Sequence, residues 1–266
     1  GNQRPYRRQA LDSFVNCSGL QRDIDWLSMP ARSVIGLTDP LFPRLLRQLA
    51  NPPAILYCEG EASCLSRPAI AVVGSRNPTP VGSESASRFA GVIGNHEATV
   101  VSGLALGIDS AAHRGALGTR GSTIAVCATG LDTVYPRCHR KLAREITDIG
   151  LMLSEFPPGV GVRRHHFPQR NRLISGLSLG TVVVEAGLGS GSLITAGFAA
   201  DQGREVFAVP GSVNAPLSRG PHQLIRDGAC LVETPAQVLE SLSMLEVKEK
   251  SEQEPKILPA WCAEIL

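Results

Sequence analysis

Aromatic residues are scarce in this chain: Phe, Trp and Tyr make up 5% of its 266 residues. The seven cysteines form no C-x-x-C pair. An odd and scattered set of this kind fits a reducing cytoplasm better than a disulfide framework. No apolar run approaches the ~18–20 residues of a membrane span. The basic start "GNQRPYRRQA" is followed by no apolar h-region, so neither membrane insertion nor a secretory signal is expected. Net charge is nearly absent as well, at +2. A polyanionic partner would therefore have to be drawn by a local patch, not by the field of the whole molecule.

What is present is a globular composition, 43% hydrophobic against 19% charged, with 27 glycines. Residues 1–66 read as an irregular lead-in, with prolines at 30, 40, 43, 52 and 53. One short helical pattern lies near Phe42–Leu49, followed by a strand in "AILYCEG". From Ala69 the texture changes to apolar runs separated by helical stretches: "AIAVVGSR", "ATVVSG", "STIAVCATG", "GLMLSEF", "GTVVVEAG", "REVFAVPG" and "ACLVE". Near-continuous apolar strands are buried on both faces and parallel, and the intervening "SESASRFAGVIGNH" and "ITAGFAADQG" have helical spacing. A doubly wound α/β sheet is expected over 67–243. "TPAQVLESLSML" begins with Thr and Pro, a helix start. The remainder, 244–266, reads as a charged linker and a short apolar tail.

In such sheets ligands bind at the carboxyl ends of strands, where helix N-termini present free N–H groups. Three strand exits are rich in small residues. In "VVGSRNPTPVG", Gly74 allows a close turn, Ser75 can bond an anion and Arg76 offers a fork of donors. The pattern G-x-G-x-x-G is absent and no ribose-binding acid follows the second strand, so a nicotinamide site is not expected. In "SGLALGIDSAAHRGAL", Ser102, Gly103 and Gly107 open a helix as a second N–H nest. Asp109 and His113 share a helical face four residues apart. They read as an acid–base pair or, preferably, as a loop brace and a packing histidine. In "VVVEAGLGSGSLITAG", Glu185 closes the strand, and Gly189, Ser190, Gly191, Ser192 and Thr195 form an anion cradle. It is neither a nucleophile elbow nor a phosphate-binding loop with Lys-Ser/Thr.

Between two of these elements lies "RRHHFPQRNRLISG", which holds Arg163, Arg164, Arg170 and Arg172 around Phe167 without an acid. Proline at 168 is expected to hold Phe167 extended and leave its ring exposed. A ring among guanidiniums suits single-stranded nucleic acid, since bases stack on the ring while arginines track phosphates. The competing reading is a solvated basic loop with Phe167 tucked into the core. The His165–His166 pair lacks a third ligand at sensible spacing, so no metal is expected.

Taken in order, these motifs resemble the DprA (Smf) family of DNA-processing proteins of natural transformation and competence. The others that carry the resemblance are "TDPLFPRLLRQLANPPAILYCEG", "STIAVCATGLDTVYPRCHRKL", "LSEFPPG" and "LIRDGACLVE". The resemblance implies an extended Rossmann-like fold that binds single-stranded DNA without sequence preference, with no catalytic reaction and no cofactor. It further implies a cytoplasmic homodimer that loads a RecA-type recombinase, with single-strand-binding protein as a further partner. Carried over by motif, Gly74, Ser75, Arg76, Gly103 and Gly107 would hold phosphate, and Arg163, Arg164 and Phe167 would meet the strand. Gln169, Arg170, Asn171 and Arg172 would complete the floor, with Ser190, Gly191 and Ser192 opposite and Lys141 on an outer path. Members often carry an N-terminal SAM-like domain and a C-terminal winged-helix domain. Residues 1–29 are short for the first, and "ILPAWCAEIL" would be a fragment of the second. The alternative is an enzyme resembling the lysine-decarboxylase-like phosphoribohydrolases, with Glu185 as its acid. "GLGSGSLIT" stands where that group has "PGGxGT".

Overall fold

The computed structural model describes residues 18–244. The expectations for the basic N-terminus, the charged linker and the apolar tail lie outside the described residues. Among the described residues no helix is long and apolar enough to cross a membrane.

One nine-stranded sheet organises the chain. Its strands are β1 (Arg32–Gly36), β2 (Ile55–Gly60), β3 (Ala69–Val73), β4 (Thr99–Ser102) and β5 (Thr123–Cys127), then β6 (Leu151–Ser154), β7 (Gly180–Val183), β8 (Glu205–Ala208) and β9 (Cys230–Leu231). They lie in the order β1-β2-β6-β5-β4-β3-β7-β8-β9. The seven from β3 onward are mutually parallel, and β3 to β7 are buried at every position, as parallel strands covered on both faces are. The lead-in adds an antiparallel hairpin, β1 against β2, with β2 antiparallel to β6. The reading of residues 1–66 contained neither β1 nor helix α1 (Ser18–Leu27). The short helix α2 (Arg44–Arg47) falls where a helical pattern was expected.

The remaining helices are α3 (Pro80–Asn95), α4 (Ile108–Ala116), α5 (Arg140–Ile149), α6 (His166–Gly176), α7 (Gly191–Asp201), α8 (Arg219–Arg226) and α9 (Pro235–Ser241). They cover both faces. Alternation along β3 shows how: Ala69, Ala71 and Val73 join Leu173, Ile174, Leu177 and Ala196 in one core. Ile70 and Val72 point the other way, against Phe89, Ile93, Ile108 and Ala112. Truncating a ring as enclosed as Phe89 would cost about 3–5 kcal/mol. Helix α3 begins where Thr79 accepts a bond from the Gly82 N–H at 3.0 Å, with Pro80 at its first position. Its partner α4 approaches so closely that a Cβ on Gly115 would press on the Ser87 backbone.

The strand order decides where a ligand fits. From β3 the chain steps outward through β4, β5 and β6, then returns to the opposite side of β3 as β7. The direction reverses between β3 and β7, and the loops leaving these two strands part to open a crevice at their carboxyl ends.

Candidate nucleic-acid interface

A cleft of about 500 Å³ occupies that crevice. It is lined by Gly74, Ser75 and Arg76 from the β3 exit, Phe167, Arg170 and Asn171 from α6, and Gly189 to Ser192 with Thr195 around the start of α7. Ala105 and Asp109 from the β4 exit line it as well, so all three small-residue exits meet around one space, together with the middle of the basic segment.

The β3 exit needs its glycine. A Cβ on Gly74 would sit 2.7 Å from Ile108 and 2.8 Å from the Glu185 carbonyl. The turn is held by the Ser75 N–H, which donates to the Glu185 carbonyl at 2.6 Å, and by the Ser75 hydroxyl, which accepts from the Asn77 N–H at 3.1 Å. Arg76, exposed, leaves the turn with its guanidinium carbon 5.5 Å from the Phe167 ring centroid.

Phe167 is not extended. It lies in the first turn of α6, where Pro168 is tolerated because the first N–H groups of a helix have no intrahelical acceptor to lose. The ring is half-buried, neither free nor sealed in the core, and meets Tyr135 edge-on at 5.6 Å. One turn on, Arg170 is 3% exposed. Its Nη1 donates to the Val126 carbonyl at 2.9 Å, across the face of Gly103. Burial pushes this guanidinium below its ordinary value and Asp109 opposes the shift. Arg170 thus supplies positive potential from beneath the cleft. Asn171 donates to the Gly191 carbonyl at 3.2 Å and ties α6 to α7. Ser190 caps α7, accepting from the Ser192 N–H at 3.3 Å, with the two hydroxyls 2.8 Å apart. The first-turn N–H groups of α7 and its partial positive charge form the far wall, a surface made for an anion.

The second expected nest already holds an anion of its own. The Asp109 carboxylate accepts from the Gly103 N–H at 3.1 Å and the Ala105 N–H at 3.3 Å, so these donors are spent inside the protein. Desolvation raises the Asp109 carboxyl, against the pull of Arg170 and of those two N–H groups. Gly103 is a seat for Arg170 and lines a recess beside Arg76 and Phe167, with its own N–H already bonded to Asp109. Gly107 has φ +78 and packs on the Ser75 carbonyl, supporting the β3 turn from behind. Asp109 and His113 are accordingly a brace and a packing histidine. His113 accepts from the Leu104 N–H at 3.3 Å and lies 2.8 Å from the Thr123 hydroxyl, and burial pushes its pKa down to about 3. His139 holds the Leu104 carbonyl at 2.9 Å, so both backbone groups of this positive-φ residue are pinned by histidines.

Other expected residues lie apart. Arg172 pairs with Glu155 and donates to the Asn51 carbonyl at 2.9 Å, fastening the lead-in to the core. Lys141 lies at the exposed start of α5, 3.7 Å from Glu145. Arg163 and Arg164 are exposed on the loop before α6, and Gln169 is exposed outside the cleft lining. His166 stacks on Phe156 at 4.0 Å and bonds the Ala128 carbonyl at 3.2 Å. Glu185 does not face the cleft: its carboxylate accepts from the Thr79 N–H at 2.9 Å and hydroxyl at 2.6 Å. Sequence reasoning passed over Tyr135 and Leu106, which border the Arg76–Phe167 pair. The signal was available, because "YPRCHR" follows the β5 exit and so belongs to the same sheet edge.

These features define a doubly wound α/β domain with a cleft at the topological switch point, Arg76 at its mouth and Arg170 beneath it. The chain belongs to the DNA recombination-mediator protein A family, whose model matches residues 33–243. It is 43% identical over 224 residues to protein Smf of Escherichia coli, covering 84% of this chain and 60% of that protein. It is also 43% identical over 215 residues to the DNA processing protein DprA of Streptococcus pneumoniae, covering 81% and 75% of the two. The S. pneumoniae DprA structure superimposes with a TM-score of 0.76 at 42% identity over 83% of this chain and 78% of that one. A DprA structure from Helicobacter pylori, concerned with that protein's single-stranded DNA binding mode, gives 0.73 at 31% identity over 80% and 95%. The resemblance and the Rossmann-like fold read from the sequence are both borne out. The chain spans about 60% of the length of the E. coli relative.

Proposed function

We propose that this protein binds single-stranded DNA without sequence preference, in the cleft between the β3 and β7 exits. The observation that carries the reading is the Arg76–Phe167 pair at the mouth of a cleft closed by the N-terminus of α7. A backbone phosphate fits the α7 donors, and an unpaired base fits against the ring and guanidinium. Arg163 and Arg164, exposed on the loop leading into α6, are offered to phosphates outside the cleft, while Arg172 is spent on Glu155. The relatives' description as recombination mediators supports the further reading that the chain loads a RecA-type recombinase onto single strands in the cytoplasm during transformation. Single-strand-binding protein is then the competitor it meets.

The protein acts by binding and not by turnover. The phosphoribohydrolase alternative needs a free acid at the glycine loop, and Glu185 is engaged with Thr79. Incubation with AMP is expected to release no free base. Self-pairing is assigned to the late helices and the β9 edge, where both strand residues are exposed and Leu231 is 45% accessible. Sedimentation is expected to give a dimer at micromolar concentration.

The deciding experiment is fluorescence anisotropy with matched single- and double-stranded oligonucleotides across a salt series. Tight binding of oligo-dT that weakens with salt, and weaker binding of duplex, is the expected result. Equal affinity for both would remove base stacking from the site, since paired bases hide their faces.

A further inference from the structure

The cleft does not end at Phe167. A small recess of about 50 Å³ adjoins it, sharing Arg76, Ala105 and Phe167 with the main cleft and bounded beyond them by Leu106, Tyr135 and Pro136. Large apolar side chains are exposed here on a chain poor in aromatics: Tyr135 is 45% and Leu106 44% accessible. The Tyr135 hydroxyl bonds no described residue, so the ring is not held there by a polar contact of its own. Arg76, Phe167 and Tyr135 form a row, guanidinium to ring 5.5 Å and ring to ring 5.6 Å. Past Tyr135 the chain continues into Arg137 and Arg140, both exposed, at the start of α5.

We infer that Tyr135 is a second base-stacking platform, which with Leu106 and Pro136 receives the nucleobase next to the one held at Phe167. The inference rests on the single-strand reading of the cleft and names the direction in which the strand leaves it. The polynucleotide passes from the α7 N-terminus over Arg76 and Phe167 to Tyr135, and its phosphates then run toward Arg137 and Arg140. The angle between the rings selects the form of the strand. Their planes are inclined by 63°, so bases resting on the two rings cannot lie parallel as neighbouring bases do in a stacked strand. Two adjacent bases can occupy both platforms only if the stacking between them is broken. A duplex keeps its base faces covered by its own stack and does not offer them.

The test pairs affinity with position. Oligo-dT carrying 5-iododeoxyuridine is photocrosslinked to the full chain, and the adducts are mapped by mass spectrometry. Adducts on both Phe167 and Tyr135 are expected. Tyr135→Ala should weaken oligo-dT binding about tenfold, within the range for loss of one stacked base, and Tyr135→Phe should bind like the parent. Thermal melting of both variants checks that the fold is intact. A parent that binds single strands and crosslinks only through Phe167, with Tyr135→Ala equally tight, overturns the second platform and leaves the first site standing. A parent that does not bind single strands at all overturns the reading of the cleft itself, and the platform with it.

Discussion

The guanidinium of Arg76 lies over the ring of Phe167, 5.5 Å from its centroid, although the two residues come from different strand exits. The contact joins a charge that attracts phosphate to a face that attracts a base, and each group holds the other in place. Such a pair is worth ~0.5–1 kcal/mol where it is exposed to water. It should therefore appear as coupling in a double-mutant cycle on oligo-dT affinity. Phe167→Ala is expected to cost ~1–3 kcal/mol of binding and leave the salt dependence nearly unchanged, because stacking releases no counterions. Arg76→Ala is expected to weaken binding and flatten the log–log salt slope by ~0.7, one single-strand phosphate contact. Losses that simply add in the double variant would mean the pair is not coupled in the bound state.

Arg164 and Arg172 separate binding from folding within one basic segment. Arg164 is exposed on the loop before α6, whereas the Arg172 side chain is 14% exposed and paired with Glu155. Arg164→Ala should reduce oligo-dT affinity and the salt slope while leaving the melting temperature unchanged. Arg172→Ala should do the reverse, costing ~2 kcal/mol of stability because it leaves Glu155 and the Asn51 carbonyl without their donor. Urea titration and anisotropy on both variants check this. Equal loss of affinity in the two would return Arg172 to the binding surface.

The parallel core was legible because β3 to β7 are buried on both faces, and a fully apolar run reads the same in any register. The lead-in was less so. The strand "RSVIG" is half-buried except at Ile35, with prolines before and after it, and its place is set by pairing with β2 and not by its own pattern. The cleft was legible at Gly74, Arg76, Phe167 and Ser190–Ser192 because strand order carries those exits together. Arg170 and Arg172 were not separable from Arg164 by sequence. Three residues of one type around an aromatic look alike until the helix turns one under the sheet edge and another toward Glu155. The Gly103 nest was legible as a set of N–H groups but not as one already bonded to Asp109, six residues on in the same chain.

His113 makes that loop sensitive to acid. It is fully buried, and its two ring nitrogens face the Leu104 N–H and the Thr123 hydroxyl. Thr123 donates its own proton to the Val100 carbonyl at 2.8 Å, so the ring proton belongs on Nδ1 and Nε2 must stay an acceptor. Protonation would set a donor against the Leu104 N–H, and burial, helped by nearby His139, Arg170 and Arg114, holds the pKa down at about 3. In the unfolded chain the same group titrates at its ordinary value of 6.5. Between these values the unfolded state binds the extra proton, so stability rises with pH. The contribution is complete above the ordinary value and is lost as pH falls toward the folded one, by up to ~1.4 kcal/mol per pH unit. His113→Gln keeps an acceptor for Leu104 and removes the titration. It is expected to be less stable at neutral pH and to lose stability more gently on acidification, as read from urea midpoints over a pH series. Acid limbs that run parallel in parent and variant would mean that His113 protonates freely in the folded protein, and that Leu104 is not held by a neutral imidazole.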